Sequence, residues 1–202
     1  ERSLGGNFDL NYRWNPFSGV SMSINSLLFY TKINDPMSLI LGNNGFYSFQ
    51  QNGGYVDTQG IEVNLKIKYG DFKLFTGYTN ADVKQYENGL LSNFPLVAKH
   101  RLNNVLMFEK EENLWVGLEA YYYSPQQLSN DNLGQSFWIM GLMSAKKLGD
   151  KFSIFLNFEN FLDTRQTRFG SIYSGNIANP QFLDIYAPVD GFVVNGGFKL
   201  KL

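Results

Sequence analysis

The residues able to do acid–base, nucleophilic or metal chemistry are few and poorly spaced for it. His100 is the single histidine and cysteine is absent. An imidazole with no second His or Cys nearby lacks the donor set that holds a transition metal. His100 therefore reads as a polar residue at a strand end, close to an interface. A hydrolytic serine needs an adjacent base to activate it. Ser92 and Ser124 fall near strand ends, yet no spacing aims either at His100. Ser129-Asn130-Asp131-Asn132 offers the oxygen ligands that hard cations prefer, without the spacing of a calcium loop, and reads as ordinary loop polarity. Gly42-Asn43-Asn44-Gly45 and Asn52-Gly53-Gly54 have no lysine or following helix to complete a phosphate cradle. Glu111 and Glu112 share a tight turn and read as solvated. The expectation is no catalytic residue, no metal and no cofactor.

Composition narrows the partners. There are 17 Lys and Arg against 18 Asp and Glu, so no bulk field favours nucleic acid. The lack of cysteine excludes disulfides and fits an exported protein that manages without them. Aromatics make up 16% of the chain, with 18 Phe and 12 Tyr, which is heavy for a soluble domain. No stretch approaches the roughly 18 to 20 apolar residues of a membrane helix.

The dominant period is two. Ile61, Val63, Leu65, Ile67 and Tyr69 alternate with Glu62, Asn64, Lys66 and Lys68, so a strand here has one greasy and one wet face. Phe8 to Trp14, Leu114 to Tyr122 and Phe152 to Phe158 repeat the pattern. Nine strands are predicted, near 4–14, 19–33, 55–69, 72–84, 98–109, 113–124, 136–148, 151–160 and 189–202. Many reach the roughly 9 to 11 residues of a tilted membrane strand, beyond the five or six of ordinary sheets.

Tight turns (15–18, 70–71, 110–112, 148–150) alternate with long links near 34–54, 85–97, 125–135 and 161–188. Outer-membrane barrels sort their connections in this way, short on the periplasmic side and long outside. The apolar rows of the clearest strands carry no charge. Trp14, Tyr30, Tyr69, Tyr78 and Tyr122 sit toward strand ends, at the level where amphipathic rings suit lipid headgroups. Two strands resist assignment. In 136–148 both faces are largely apolar, which implies either protein against the inner face or a register-switching bulge. In 98–109 the better lipid row carries Asn104. The fold expected is an all-β, antiparallel transmembrane barrel. Alternation alone would also suit a soluble all-β binding module. Nine strands put the two chain ends on opposite sides of the membrane, whereas single-chain bacterial barrels have even counts. Residues 1–202 are therefore expected to be the C-terminal part of a longer barrel.

Four segments resemble a known family. These are Thr58-Gln59-Gly60-Ile61-Glu62, Pro95 to Asn103 with His100-Arg101-Leu102-Asn103, Phe158-Glu159-Asn160-Phe161-Leu162-Asp163, and Ile185 to Gly191 leading into Asn195 to Leu202. Together they resemble the C-terminal barrel of TonB-dependent outer-membrane receptors of the kind found in Bacteroidetes. Ala98 stands where proline is commoner, Phe161 and Leu162 are exchanged, and Leu202 replaces the usual terminal aromatic. The resemblance implies a 22-stranded barrel closed by an N-terminal plug, importing a scarce, bulky nutrient when the TonB complex pulls on the plug. Ferric siderophores or other metal chelates are favoured. A SusC-like glycan importer and a passive porin are the alternatives. Expected partners are the lipid bilayer, the plug and remaining barrel, the TonB complex through the plug, the barrel-assembly machinery and a surface lipoprotein. The assembly signal would be Asn195, Gly197, Leu200 and Leu202. Lumen-facing residues would be Glu62, Asn64, Lys66 and Lys68. Ligand contacts are expected on the long loops, from Tyr47 and Phe49 and from Arg165, Arg168, Phe169 and Tyr173, the arginines meeting an anionic siderophore.

Overall fold

Period-two alternation becomes one continuous antiparallel wall in the computed structural model, which describes residues 1–42, 45–51, 53–111 and 113–201. Asn43, Asn44 and Asn52 of the glycine-rich segments, Glu112 of the acidic turn and Leu202 of the terminal signal lie outside the described residues. In chain order the elements are β1 (Arg2–Trp14), β2 (Val20–Asn34), β3 (Met37–Leu41), β4 (Tyr47–Gln51), β5 (Tyr55–Tyr69), β6 (Phe72–Glu87), β7 (Leu90–Asn93) and β8 (His100–Lys110). They continue with β9 (Leu114–Tyr123), β10 (Phe137–Leu148), β11 (Phe152–Glu159), the helical turn α1 (Gln166–Phe169), β12 (Tyr173–Ser174), β13 (Gln181–Phe182) and β14 (Val193–Leu200).

The wall runs β1-β2-β5-β6-β8-β9-β10-β11-β14. These are the nine predicted strands, each paired with its sequence neighbour in the path. The other strands decorate the long links. β3 and β4 form a separate hairpin, β12 and β13 another, and β7 folds back on the end of β6. Of the predicted boundaries that move, three have a visible cause. Strand 72–84 extends to Glu87 because β7 supplies it with a partner. Strand 98–109 begins at His100, since Ala98 bridges to Gln126 instead. The last strand begins at Val193, because Gly191 and Phe192 are engaged by a loop carboxylate.

Register sorts the side chains. Directly opposed residues share a face, so one row can be followed through every strand. Trp14 faces Met22, then Ile67, Leu74, Leu106, Leu118, Leu142, Phe158 and finally Val194. Every member is apolar. Trp14 is the last residue of β1 whereas Val194 is the second of β14, so the row climbs along the strands as it crosses them. That stagger is the shear that tilts strands in a barrel. The opposite face carries Arg13, Ser23 and Lys66 in one row and Asn11, Asn25, Asn64 and Asn103 in the next.

On β2, β5 and β6 the apolar face stops at a defined level. Beyond Tyr30, Ile61 and Tyr78 it continues as Lys32, Gln59, Asp57, Asn80, Asp82 and Lys84. Rings mark both levels: Tyr122 packs on Trp138 at 5.1 Å near the long-loop end, and Phe72 on Phe108 at 5.1 Å near the turns. The apolar row from Ile61 to Tyr69 matches a tilted spanning strand.

The two ambiguous strands resolve. Asn104 does lie on the apolar face, opposite Thr76 and Ala120. The Thr76 hydroxyl donates to Asn104 Oδ1 at 2.9 Å and the Asn104 amide reaches the Ala120 carbonyl at 3.5 Å. A polar pair that satisfies itself avoids the roughly 1–3 kcal/mol of an unpaired group. β10 has an unbroken register against β9 from Phe137 to Lys146, so no bulge switches its faces. Its second apolar row is covered at the long-loop end by aromatic rings from a loop.

Candidate functional site at the long-loop end

The loop between β11 and β14 is built on three short polar side chains. Asn160 and Asp163 adopt φ of 48° and 53°, a left-handed region that Asn and Asp tolerate better than other side chains. Buried Asn160 donates to the carbonyls of Thr164 (2.8 Å) and Asp190 (3.2 Å), and its own oxygen accepts from the Thr164 amide at 3.0 Å. Thr164 in turn donates to the Trp138 carbonyl at 2.6 Å. Together these bonds tie both ends of the loop to the wall.

Asp163 closes the other side of the corner. Its carboxylate accepts from the Phe192 amide at 3.1 Å and from Arg165 at 2.9 Å, and pairs with Arg168. The Phe192 N–H, then the two guanidinium groups against partial desolvation, hold the carboxyl below its ordinary 3.8. A Cβ on Gly191 would lie 2.1 Å from Asp163 Oδ1, so this approach requires glycine.

Gln166, 3% exposed, holds the middle of the loop. Its amide donates to the Asp184 carbonyl (3.1 Å) and its oxygen accepts from the amides of Tyr186 (3.2 Å) and Ala187 (3.0 Å). Tyr186 thereby joins Phe137 and Phe169, with ring centroids 6.3 to 6.5 Å apart. Phe137 also stacks on Tyr123 at 5.0 Å. Both wall residues belong to the polar-face rows of β9 and β10, so the loop folds over that face. The link between β9 and β10 is fastened to it as well. Gln126 donates to the Tyr186 carbonyl at 3.0 Å, while Ser129 donates through its amide and hydroxyl to Asp184 at 2.6 and 3.1 Å.

The candidate residues do not converge on one place. Arg165 and Arg168 converge on Asp163, Phe169 lies in the aromatic cluster, and Tyr173 pairs with Phe182 in the β12–β13 hairpin. Tyr47 and Phe49 stand 66% and 69% exposed on β4, which among the described elements packs only on β3. Glu62, Asn64, Lys66 and Lys68 share the polar face; Asn64 donates to Glu62 at 2.6 Å and the Lys66 ammonium lies 5.1 Å over the Phe75 ring. Near the C-terminal end, Asn157 donates to Asn195 at 3.1 Å and Asn195 to Glu159 on the polar face, where Gly197 faces Phe155; Leu200 faces Phe152 on the other.

The residues considered for chemistry are occupied otherwise. The His100 ring nitrogen Nδ1 lies 2.8 Å from the Tyr78 hydroxyl and 3.1 Å from the Asn80 amide. Ser124 accepts from the His100 main-chain N–H at 3.0 Å, and Ser92 from Gln85 at 3.2 Å. Ser129 to Asn132 is the turn that meets Asp184. Sequence reasoning gave no site role to Asn160, Gln166, Tyr186 and Gln126, although Asn160 and Tyr186 fall in the family-like segments; decisive partners, Asp190 for Asn160 and Tyr186 for Gln126, lie far along the chain. The signal for Phe137 was the second apolar face of β10.

Residues 5–161 match the family model described as TonB dependent receptor-like, beta-barrel. The chain belongs to that family. Its wall is a stretch of TonB-dependent receptor barrel, and the family is one of outer-membrane receptors. No curated protein matches the sequence. Among solved structures, the copper transporter OprC aligns with a TM-score of 0.68 at 12% identity over 99% of this chain and 31% of its own. The FrpB iron transporter from Neisseria meningitidis gives 0.63 at 15% identity over 98% and 31%. The ferripyoverdine receptor of the outer membrane of Pseudomonas aeruginosa gives 0.62 at 15% over 98% and 27%. At such identity the likeness is one of fold. The chain spans less than a third of each of these proteins.

Proposed function

We propose that the chain is wall and outer loops of an importer in the outer membrane that takes up a scarce, bulky nutrient with energy delivered through TonB. The family match across residues 5–161 carries this reading, and the unbroken apolar row from Trp14 to Val194 supports it. In this reading the apolar face meets lipid and the polar face, with Glu62, Asn64, Lys66 and Lys68, lines the lumen. The long loops then stand outside the cell and the tight turns in the periplasm. The plug and the preceding strands complete a 22-stranded barrel, and TonB acts through the plug. Asn195, Gly197, Leu200 and Leu202 are the segment for the barrel-assembly machinery, and a surface lipoprotein is a further partner for the loops. The Bacteroidetes-type assignment rests on the four motifs in residues 58–202.

A metal chelate is the favoured cargo class. It is supported by neighbours whose names record copper, iron and ferripyoverdine. The test is uptake of radiolabelled ferric and cupric chelates by cells carrying the intact receptor, with TonB present or deleted. Import that disappears without TonB is expected. Import that persists undiminished would make the barrel a passive porin.

A further inference from the structure

The apolar face of the wall is charged only near its two ends, and the ends differ. Among the described strand residues, the loop end carries both signs, as Arg2, Lys32, Asp57, Asp82 and Lys84. The turn end carries Lys110 and Lys146 alone. Both stand opposite Leu114, one from each side, in the row Lys110, Leu114, Lys146, Ile154 and Phe198. Two strand spacings put the lysine main chains roughly 10 Å apart. Two long, flexible side chains at that distance can bring their ammonium groups to one small anion above Leu114.

Neither lysine is taken up elsewhere. Both are exposed, and neither joins an ion pair or a side-chain hydrogen bond among the described residues. Lys73 and Lys147, at the same end, are engaged on the polar face, Lys73 by Glu109 and Lys147 at 5.2 Å over the Trp115 ring. Glu109 is thereby occupied, while Asp71, Glu111 and Asp150 belong to the turns beyond the strand ends. The level of the pair is set by rings. Phe108, two residues before Lys110, packs on Phe72. A lysine just past that level lays its methylenes on apolar surface and keeps its ammonium at headgroup height. In the row nearer the loops, Val116 and Ser144 are shorter than the flanking Phe108 and Leu156. The Ser144 hydroxyl is satisfied by the Leu156 carbonyl at 2.9 Å. A trough of small side chains therefore leads from the lysines toward Leu118 and Leu142.

We infer that Lys110 and Lys146 together bind the headgroup phosphate of an anionic phospholipid in the leaflet on the turn side, with an acyl chain lying over Val116 and Ser144. Two cations with no acid in their row favour a phosphodiester whose headgroup has no ammonium of its own, because such an ammonium would be repelled. The inference rests on the reading that this face meets lipid.

It is tested on the intact receptor in vesicles holding phosphatidylglycerol and phosphatidylethanolamine in equal amounts, one or the other brominated. A fluorescent probe attached at Leu114→Cys reports the lipid beside it. Brominated phosphatidylglycerol should quench the probe more than brominated phosphatidylethanolamine does. Lys110→Gln and Lys146→Gln should each reduce that preference by about fivefold. Lys147→Gln, next along the strand but on the opposite face, should leave it unchanged. Equal quenching by the two lipids, a preference indifferent to both variants, or one lowered as much by Lys147→Gln would overturn the proposal and leave the face in lipid. Quenching by neither lipid would overturn it together with the membrane reading.

Discussion

Two long loops leave the same end of the wall and are built on opposite plans. The loop after β2 pairs with itself as the β3–β4 hairpin, and its Tyr47 and Phe49 are largely exposed. The loop after β11 has little regular structure, yet Asn160, Asp163 and Gln166 anchor its main chain at both ends and the middle. Regular hydrogen bonding is therefore no measure of how firmly a segment is held. A hairpin satisfies its own main chain and owes nothing to the wall. An irregular loop must find partners for its buried amides and carbonyls in side chains, and those side chains pin it. The pinned loop can hold a shaped cleft, whereas the hairpin presents a surface.

The comparison can be broken at its strongest point first. Gln166→Ala leaves the Asp184 carbonyl and the amides of Tyr186 and Ala187 without their partner. A loss of about 3 kcal/mol of local stability is expected from buried groups so orphaned, read as faster hydrogen exchange at Tyr186 and Ala187. Exchange unchanged from the parent would show that the loop is not held by this side chain. Gly191→Ala should cost about 1–3 kcal/mol through overpacking against Asp163, visible as earlier proteolysis between residues 171 and 185.

Acid sharpens the same contrast. The Asp163 carboxyl is depressed in the folded loop, so its contribution is complete at neutral pH and is lost as pH falls through that depressed value. Protease protection of the loop should hold from pH 7 down to the ordinary carboxylate range and fall below it. In Asp163→Asn the protection should be weaker at neutral pH and lose that acid step. The β3–β4 hairpin, where no carboxylate meets Tyr47 or Phe49 among the described residues, should show no matching step. Phe49→Ser is the smallest effect, within about 0.5 kcal/mol of the parent in a denaturant titration. A larger loss would mean that the hairpin is packed against something.

The wall was legible in the sequence because its signals are local. Alternation from Ile61 to Tyr69, and turns such as Gly70-Asp71, are read from neighbours along the chain. Register is not local, and so Asn104 looked like a misplaced polar residue until Thr76 was found opposite it. The corner was less legible still. Asn160 stands out only as part of a family-like segment and Gln166 looks like an ordinary loop residue; their partners Asp190 and Tyr186 become neighbours only when β11 and β14 pair. Arg165 and Arg168 stood out by type, but Asp163, two and five positions before them, determines where they point.

The account turns on which face of the wall meets lipid. This stretch of wall has no cysteine of its own, so single cysteine substitutions at Ile61, Glu62, Val63, Asn64, Leu65 and Lys66 can be read in the intact receptor embedded in outer membrane against the labelling of the unsubstituted receptor. Cysteines at 62, 64 and 66 should react with a water-soluble maleimide, whereas those at 61, 63 and 65 should resist it and carry probes quenched by brominated lipid. Uniform labelling along the six positions, or the inverse alternation, would contradict the assignment of this sheet as a membrane-spanning receptor wall.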